Sequence, residues 1–259
     1  MEQMQQPIGV FDSGLGGISV LRELVAFLPN ENYLYLGDSK HAPYGTKSLQ
    51  EVQELTCNNI EYLIGKGAKA IVVACNTATS AAIQILREHH KDMPIIGIEP
   101  ALKPAVLQKE HPNVLVMATP MTLREEKFHA LMKRYENQAE IISLPCPGLV
   151  EFVERGELEG EALEAYFKEL FAPFADKKID SAVLGCTHYP LVKNVIQKML
   201  GDSVTLFDGG EGTAHETYRR LKEKNLLNTT PQKGTVIFEN TEGTEQKTAL
   251  AKQLLWHTF

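Results

Sequence analysis

The sequence predicts an α/β fold in which parallel strands are covered by helices on both faces. Short apolar runs rich in Val, Ile and Leu alternate with amphipathic stretches of helical period along the chain. Four units also share one layout, with a strand ending on a polar residue and a helix starting within a few positions: VFDSGLGGISVLREL, VVACNTATSAAIQIL, VMATPMTLREEKFHAL and VLGCTHYPLVKNVI. At 259 residues, 43% hydrophobic and 23% charged, the chain can bury a sizeable core in one large domain or two small ones.

Taken in order, strands are predicted at residues 7 to 11 (PIGVF), 33 to 36, 70 to 74 (AIVVA), 95 to 98, 114 to 118 (VLVMA), 140 to 144, 181 to 185 (SAVLG) and 204 to 207, with helices after most of them. The four shared units end their strands on Asp12, Cys75, Thr119 and Cys186. The stretch from 12 to 75 is similar in length to that from 119 to 186, which suggests two halves of one plan, each supplying a thiol. Ile98-Glu99-Pro100 falls between the halves, and FDGGEGTAHE at 207 to 216 ends the second. From about residue 213 the tail offers an amphipathic helix, a Gly-Thr-rich turn and a last segment, ALAKQLLWHTF. It is too small to fold alone and is expected to pack back on the first half.

A net charge of -7 with scattered lysines gives no footprint for a polyanion, so no nucleic-acid partner is expected. The start, MEQMQQPIGVFDS, lacks the basic and apolar segments of a signal peptide, and no run approaches the roughly 18 apolar residues of a membrane span. A soluble cytoplasmic protein without membrane contact is the expectation. Cys57, Cys75, Cys146 and Cys186 form no CxxC pair, so they are expected to be free thiols, and no metal site is predicted.

In open parallel sheets ligands sit beyond the carboxyl ends of the strands, where Cys75 and Cys186 both fall. Helix starts there aim N–H groups and a partial positive charge at the same place, which suits carboxylates and favours thiolate. Pro190 suits the first turn of the helix after Cys186, and Thr77 or Thr79 suits the cap of the helix after Cys75. A buried cysteine is ordinarily a small hydrophobe, and Cys57 in VQELTCNNIEYL fits that description. Cys75 and Cys186 fit it less well, because ligand-capable polar residues follow each of them.

FDSGLGG raises a rival, since a Gly-rich turn followed by YLYLGD and Asp38 looks like a dinucleotide site. Its third glycine position falls on Ser19, however, and Asp12 would place a carboxylate where a pyrophosphate should lie. Asp12 instead suits a cation such as an amino-acid ammonium, a role compatible with capping the turn that follows. His188 beside Cys186 supplies too few ligands for a metal and more readily tunes or shuttles the thiol proton. The other histidines, His257 among them, read as surface residues. Two thiols facing one cleft could remove a proton from one face of a carbon and supply one to the other, inverting a stereocentre. A redox pair would instead need the sulfurs about 2 Å apart.

FDSGLGG, the Asp38 to APYG stretch at 42 to 45, VVACNTAT, CPGLVE at 146 to 151 and LGCTHYP, in this order over nearly the whole chain, resemble glutamate racemases of the cofactor-independent aspartate/glutamate racemase superfamily. The resemblance implies two doubly wound α/β domains of related topology with the active site in the cleft between them. We expect residues 1–97 plus 208–259 to form the first and 98–207 the second. It further implies interconversion of L- and D-glutamate without a cofactor, to supply peptidoglycan precursors. Cys75 would take the α-proton of D-glutamate and Cys186 that of L-glutamate. Asp12 and Ser13 lie at the substrate; Asn76, Thr77, Thr119 and Thr122 resemble the set that holds the α-carboxylate; and Tyr44 and Gly45 resemble the γ-carboxylate site. Thr187 and His188 follow the second thiol, with His188 assisting it, and Glu151 matches a glutamate of the family. Cys146 matches a position without a catalytic role, and Ala118 stands where glycine is usual. A homodimer is the expected assembly. An aspartate racemase of the same fold, and a dithiol redox or metal-binding protein, are the alternatives.

Such chemistry is demanding, because the α-proton is very weakly acidic and a thiol of pKa about 8.5 is a poor match for it. Donors on the α-carboxylate and a dry site must lower most of the barrier.

Overall fold

The computed structural model describes residues 2–256. Its strands are β1 (Ile8–Asp12), β2 (Tyr33–Gly37), β3 (Ala70–Val73), β4 (Ile95–Gly97), β5 (Asn113–Ala118), β6 (Glu140–Pro145), β7 (Ser181–Leu184), β8 (Thr205–Asp208) and β9 (Val236–Asn240). They form two sheets, ordered β4-β3-β1-β2-β9 and β6-β5-β7-β8, and every described pairing is parallel. Four positions of the two orders correspond: β1 to β5, β2 to β6, β3 to β7 and β4 to β8. In each sheet the chain first steps to one side of the central strand and then to the other. The switch points lie between β1 and β3 and between β5 and β7, where ligand crevices open in such sheets.

The helices are α1 (Glu2–Gln5), α2 (Ile18–Phe27), α3 (Leu49–Gly65), α4 (Asn76–His89), α5 (Leu102–Leu107), α6 (Pro120–Arg124), α7 (Glu126–Lys133), α8 (Leu149–Glu154), α9 (Glu161–Phe171), α10 (Lys193–Leu200), α11 (Gly210–Glu223) and α12 (Glu245–Trp256). β1, β2, β3 and β7 are buried along their whole lengths, which is why they read as unbroken apolar runs rather than alternating ones. Each fully buried Val, Leu or Ile contributes about 1.5–3 kcal/mol. One apolar cluster joins the halves: Leu15 and Ile18 of the first belong to the same core as Leu149, Val153 and Tyr189 of the second.

The eight predicted strands are present, and the structure adds β9, which extends the first sheet beside β2. In the tail, β9 pairs with β2, and α11 and α12 pack against α2. Positions 257–259 of the final segment, including His257, lie outside the described residues.

Three local expectations change. α4 is capped by Cys75 itself, whose Sγ accepts from the Ala78 N–H at 3.4 Å. Thr79 turns back to donate to the Val73 carbonyl, leaving Thr77 free for other partners. Gly17, not Asp12, is the cap residue of α2; and after Cys186 a 3₁₀ turn, Tyr189–Val192 with Pro190 in its first turn, precedes α10.

Candidate active site

The registers bring the strand ends together. β1 pairs Asp12 with Gly37 and Phe11 with Val73, so the Asp12–Ser13 turn, Asp38 and Cys75 leave the first sheet at one level. In the second sheet Met117 pairs with Leu184, which puts Thr119 and Cys186 at the matching edge. The two edges face each other across the cleft. The Thr77 hydroxyl of the first half lies 3.1 Å from that of Thr119 and 3.2 Å from that of Thr122 in the second. Thr119 and Thr122 are 3.0 Å apart, which closes a buried triangle of hydroxyls.

Cys75 is buried and donates to Ser13 Oγ at 3.4 Å. Burial, with the charge of Asp12 beside it, pushes the thiol up to about 12. The buried carboxylate of Asp12 accepts from the Gly14 N–H at 2.9 Å and, across the cleft, from the Thr187 hydroxyl at 2.9 Å. Burial raises its pKa while His188 and these donors oppose the rise. Cys186 is buried and influences Cys75 electrostatically, and both are free thiols.

His188 Nδ1 lies 3.7 Å from Cys186 Sγ, and Nε2 lies 2.8 Å from Glu154 Oε1. Burial would lower its pKa, but Cys186 and Glu154 outweigh that and hold it well above the ordinary 6.5. Glu154 behaves reciprocally: burial raises it, yet His188, the Leu15 N–H and Lys247 bring it down to about 2. Both shifts favour the charged pair, in which an imidazolium N–H at Nδ1 would face the Cys186 sulfur.

The glycines of FDSGLGG explain how closely the halves meet. A Cβ on Gly14 would lie 2.0 Å from Glu154 Oε1, and one on Gly16 would lie 2.3 Å from His188 Nδ1 and 2.6 Å from Thr187 Oγ1. These positions must lack a side chain so that second-half residues can reach the Asp12 turn. The resemblance to a phosphate-binding loop has this other cause.

Tyr44 and Gly45 occupy a short 3₁₀ turn against the triangle, where a Gly45 Cβ would come within 2.8 Å of the Thr119 Cβ. Tyr44 donates to Asp38 at 2.6 Å, and burial together with that carboxylate keeps the phenol protonated. Asp38 also accepts from Thr241, just past β9, at 2.6 Å, so the tail braces this loop. Asn76 is buried with its amide oxygen lacking a partner, an opening for a ligand because an amide can present either end.

The structure thus brings Asp12, Ser13, Tyr44, Gly45, Cys75, Asn76, Thr77, Thr119, Thr122, Cys186, Thr187 and His188 to one cleft. Glu151 does not join them through hydrogen bonds: its influence is electrostatic, on Tyr166 and Arg155. From the same helix Glu154, three residues further on, reaches the cluster through Leu15 and His188. Among the described residues no group of three or more His, Cys, Asp or Glu side chains could hold a metal ion.

A model of the Asp/Glu/Hydantoin racemase family matches residues 8–217. The glutamate racemase of Clostridium perfringens (strain ATCC 13124) is 55% identical over 249 residues, 96% of each chain. The crystal structure of glutamate racemase from Francisella tularensis in complex with D-glutamate superposes with a TM-score of 0.84 at 34% identity, covering 99% of this chain and 96% of that one. Escherichia coli glutamate racemase in complex with L-glutamate and activator UDP-MurNAc-ala gives a TM-score of 0.85 at 29% identity, covering 96% and 95%.

Proposed function

The chain belongs to the Asp/Glu/Hydantoin racemase family, and from that premise we propose that it interconverts L- and D-glutamate by proton transfer between two cysteines. The observation that carries the reading is the placement of two free, buried thiols at corresponding strand ends of two like sheets that face each other across the cleft.

Glutamate lies between the sulfurs in this reading. Its α-carboxylate takes the place of the mutual contacts of Thr77, Thr119 and Thr122 and meets the Asn76 amide. The backbone N–H groups of Tyr44 and Gly45 receive the γ-carboxylate. Asp12 and Ser13 sit by the ammonium and Cys75, and Thr187 holds Asp12 in place. Cys186 takes the α-proton of L-glutamate while Cys75, held as a thiol by its burial, returns one to the opposite face. In the reverse direction the roles exchange, and each turnover swaps the protonation states. The pair resets when Cys186 releases its proton to solvent and Cys75 takes one up, or by a return turnover, and His188, backed by Glu154, is placed to relay the proton at Cys186. Hydroxyl and N–H donors to the α-carboxylate, in a buried cleft, stabilise the developing carbanion. We assign Glu154 the role in support of His188, and Glu151 a place outside the reacting groups.

The accompanying proposals are that the reaction needs no cofactor and feeds peptidoglycan synthesis, that the protein is a cytoplasmic homodimer, and that it comprises two units, 1–97 plus 208–259 and 98–207. Sheet membership supports the division, and among the described residues no helix is long and apolar enough to cross a membrane.

The test is α-hydrogen exchange and racemisation in D2O, followed by NMR and circular dichroism with both enantiomers. Wild-type protein should do both with no addition, and Cys75→Ala and Cys186→Ala should each lose racemisation by at least about 10³-fold. Full activity in either variant would dismiss the two-thiol reaction, and preferential turnover of aspartate would reassign the substrate.

A further inference from the structure

Building on the racemase reading, we propose that Lys247 is a positioning residue for the Cys186 half of the reaction, fixing Glu154 and through it the His188 imidazole. Lys247 comes from α12 of the tail, 93 residues along the chain from Glu154. Its ammonium donates to two acceptors of that one residue, the backbone carbonyl at 2.8 Å and Oε2 at 2.9 Å. The other carboxylate oxygen, Oε1, accepts from the Leu15 N–H at 2.6 Å and faces His188 Nε2 at 2.8 Å.

Each contact has a distinct consequence. The last torsion of a glutamate side chain is broad, so anchoring one oxygen leaves the carboxylate free to swing. Lys247 anchors the second oxygen and the backbone of the same residue, which removes that freedom. The plane of Glu154 then sets the direction of His188 Nε2, and the rigid ring carries that direction to Nδ1 beside Cys186. This pair also differs from the ordinary ion pairs of the surface. Lys247 and Glu154 side chains are 19% and 12% exposed, against 63% and 38% for Lys198 and Glu164, which touch nothing in the cleft.

The two enantiomers of glutamate have equal free energy in water, so kcat/KM must be the same in both directions for any variant. A defect confined to one thiol is therefore invisible in that ratio, but it appears in isotope effects. Cleavage of the α-C–D bond falls to Cys186 in L-glutamate and to Cys75 in D-glutamate. Slowing the Cys186 transfer makes that step more limiting, which raises the isotope effect on α-deuterated L-glutamate and lowers it on the D form.

The experiment measures both isotope effects and kcat/KM for wild type, Lys247→Met and Lys247→Arg, with circular dichroism to check folding. For Lys247→Met we expect kcat/KM to fall roughly 10-fold to 100-fold with the isotope effects moving in opposite senses, and Lys247→Arg to recover most of the rate. If Lys247→Met does not fold, Lys247→Gln carries the same comparison. An active wild type with an unimpaired neutral variant, or with isotope effects that shift together, overturns the positioning role alone. Failure of wild type to racemise either enantiomer removes the racemase reading, and this role with it.

Discussion

The Glu154 carboxylate is surrounded by donors, so its energetics depend on pH in a definite direction. Its folded pKa of about 2 lies below the ordinary 4.5. The stability it contributes is therefore complete above about pH 4.5 and is lost as pH falls through about 2. His188 has the opposite sign: its pKa is raised, so its contribution is complete below 6.5 and is lost as pH rises through the folded value. Glu154→Gln should flatten the acid side of the stability profile by a few kcal/mol between about pH 5 and about pH 3, measured by urea unfolding across that range. Reading the sequence alone singles out Glu151, because the CPGLVE motif ends there. Two glutamates three positions apart on a short helix are neighbours, and only the tertiary arrangement decides which one meets a histidine from a distant loop. The thiols were legible for the contrary reason, since each follows immediately on its own buried strand.

At the level of elements, the turn after β1 is the most constrained. Gly16→Ala would drive a methyl group into His188 and Thr187 of the other half. We expect kcat/KM to drop about 100-fold with an unchanged circular dichroism spectrum, since the turn carries little of the core. β9 escaped the sequence reading because it is an edge strand. Its residues are half-buried to exposed, and Ile237 is 56% exposed, so it lacks the unbroken apolar run that marks β1 or β3. The strand nonetheless brings Thr241 to Asp38, and α12, which follows it, carries Lys247 to Glu154. Removing the chain from about residue 234 onward should therefore abolish activity and expose the β2 edge, with aggregation detectable by light scattering.

Across the whole molecule, the tail is held by a buried ion pair remote from the cleft. Lys69 pairs with Glu31 at 2.5 Å and also donates to the Met4 carbonyl, while Glu31 accepts from the Asn228 N–H at 2.8 Å. Lys69→Met would leave that carboxylate buried without its cation, and a loss of about 3–5 kcal/mol is expected in urea unfolding. The paired plan of the chain was legible because parallel strands covered on both faces leave a strong apolar signature. The closeness of the two halves was not, because it depends on contacts such as Thr77 with Thr119 that no periodicity encodes.

Those threonines have a further consequence. Their three hydroxyls satisfy one another, so a glutamate carboxylate that takes hydrogen bonds from them must break bonds these groups already make. Net affinity is then the difference between two similar sets of bonds, and it stays modest however many donors line the cleft. An occupant so held can leave as readily as it arrived, whichever hand it carries.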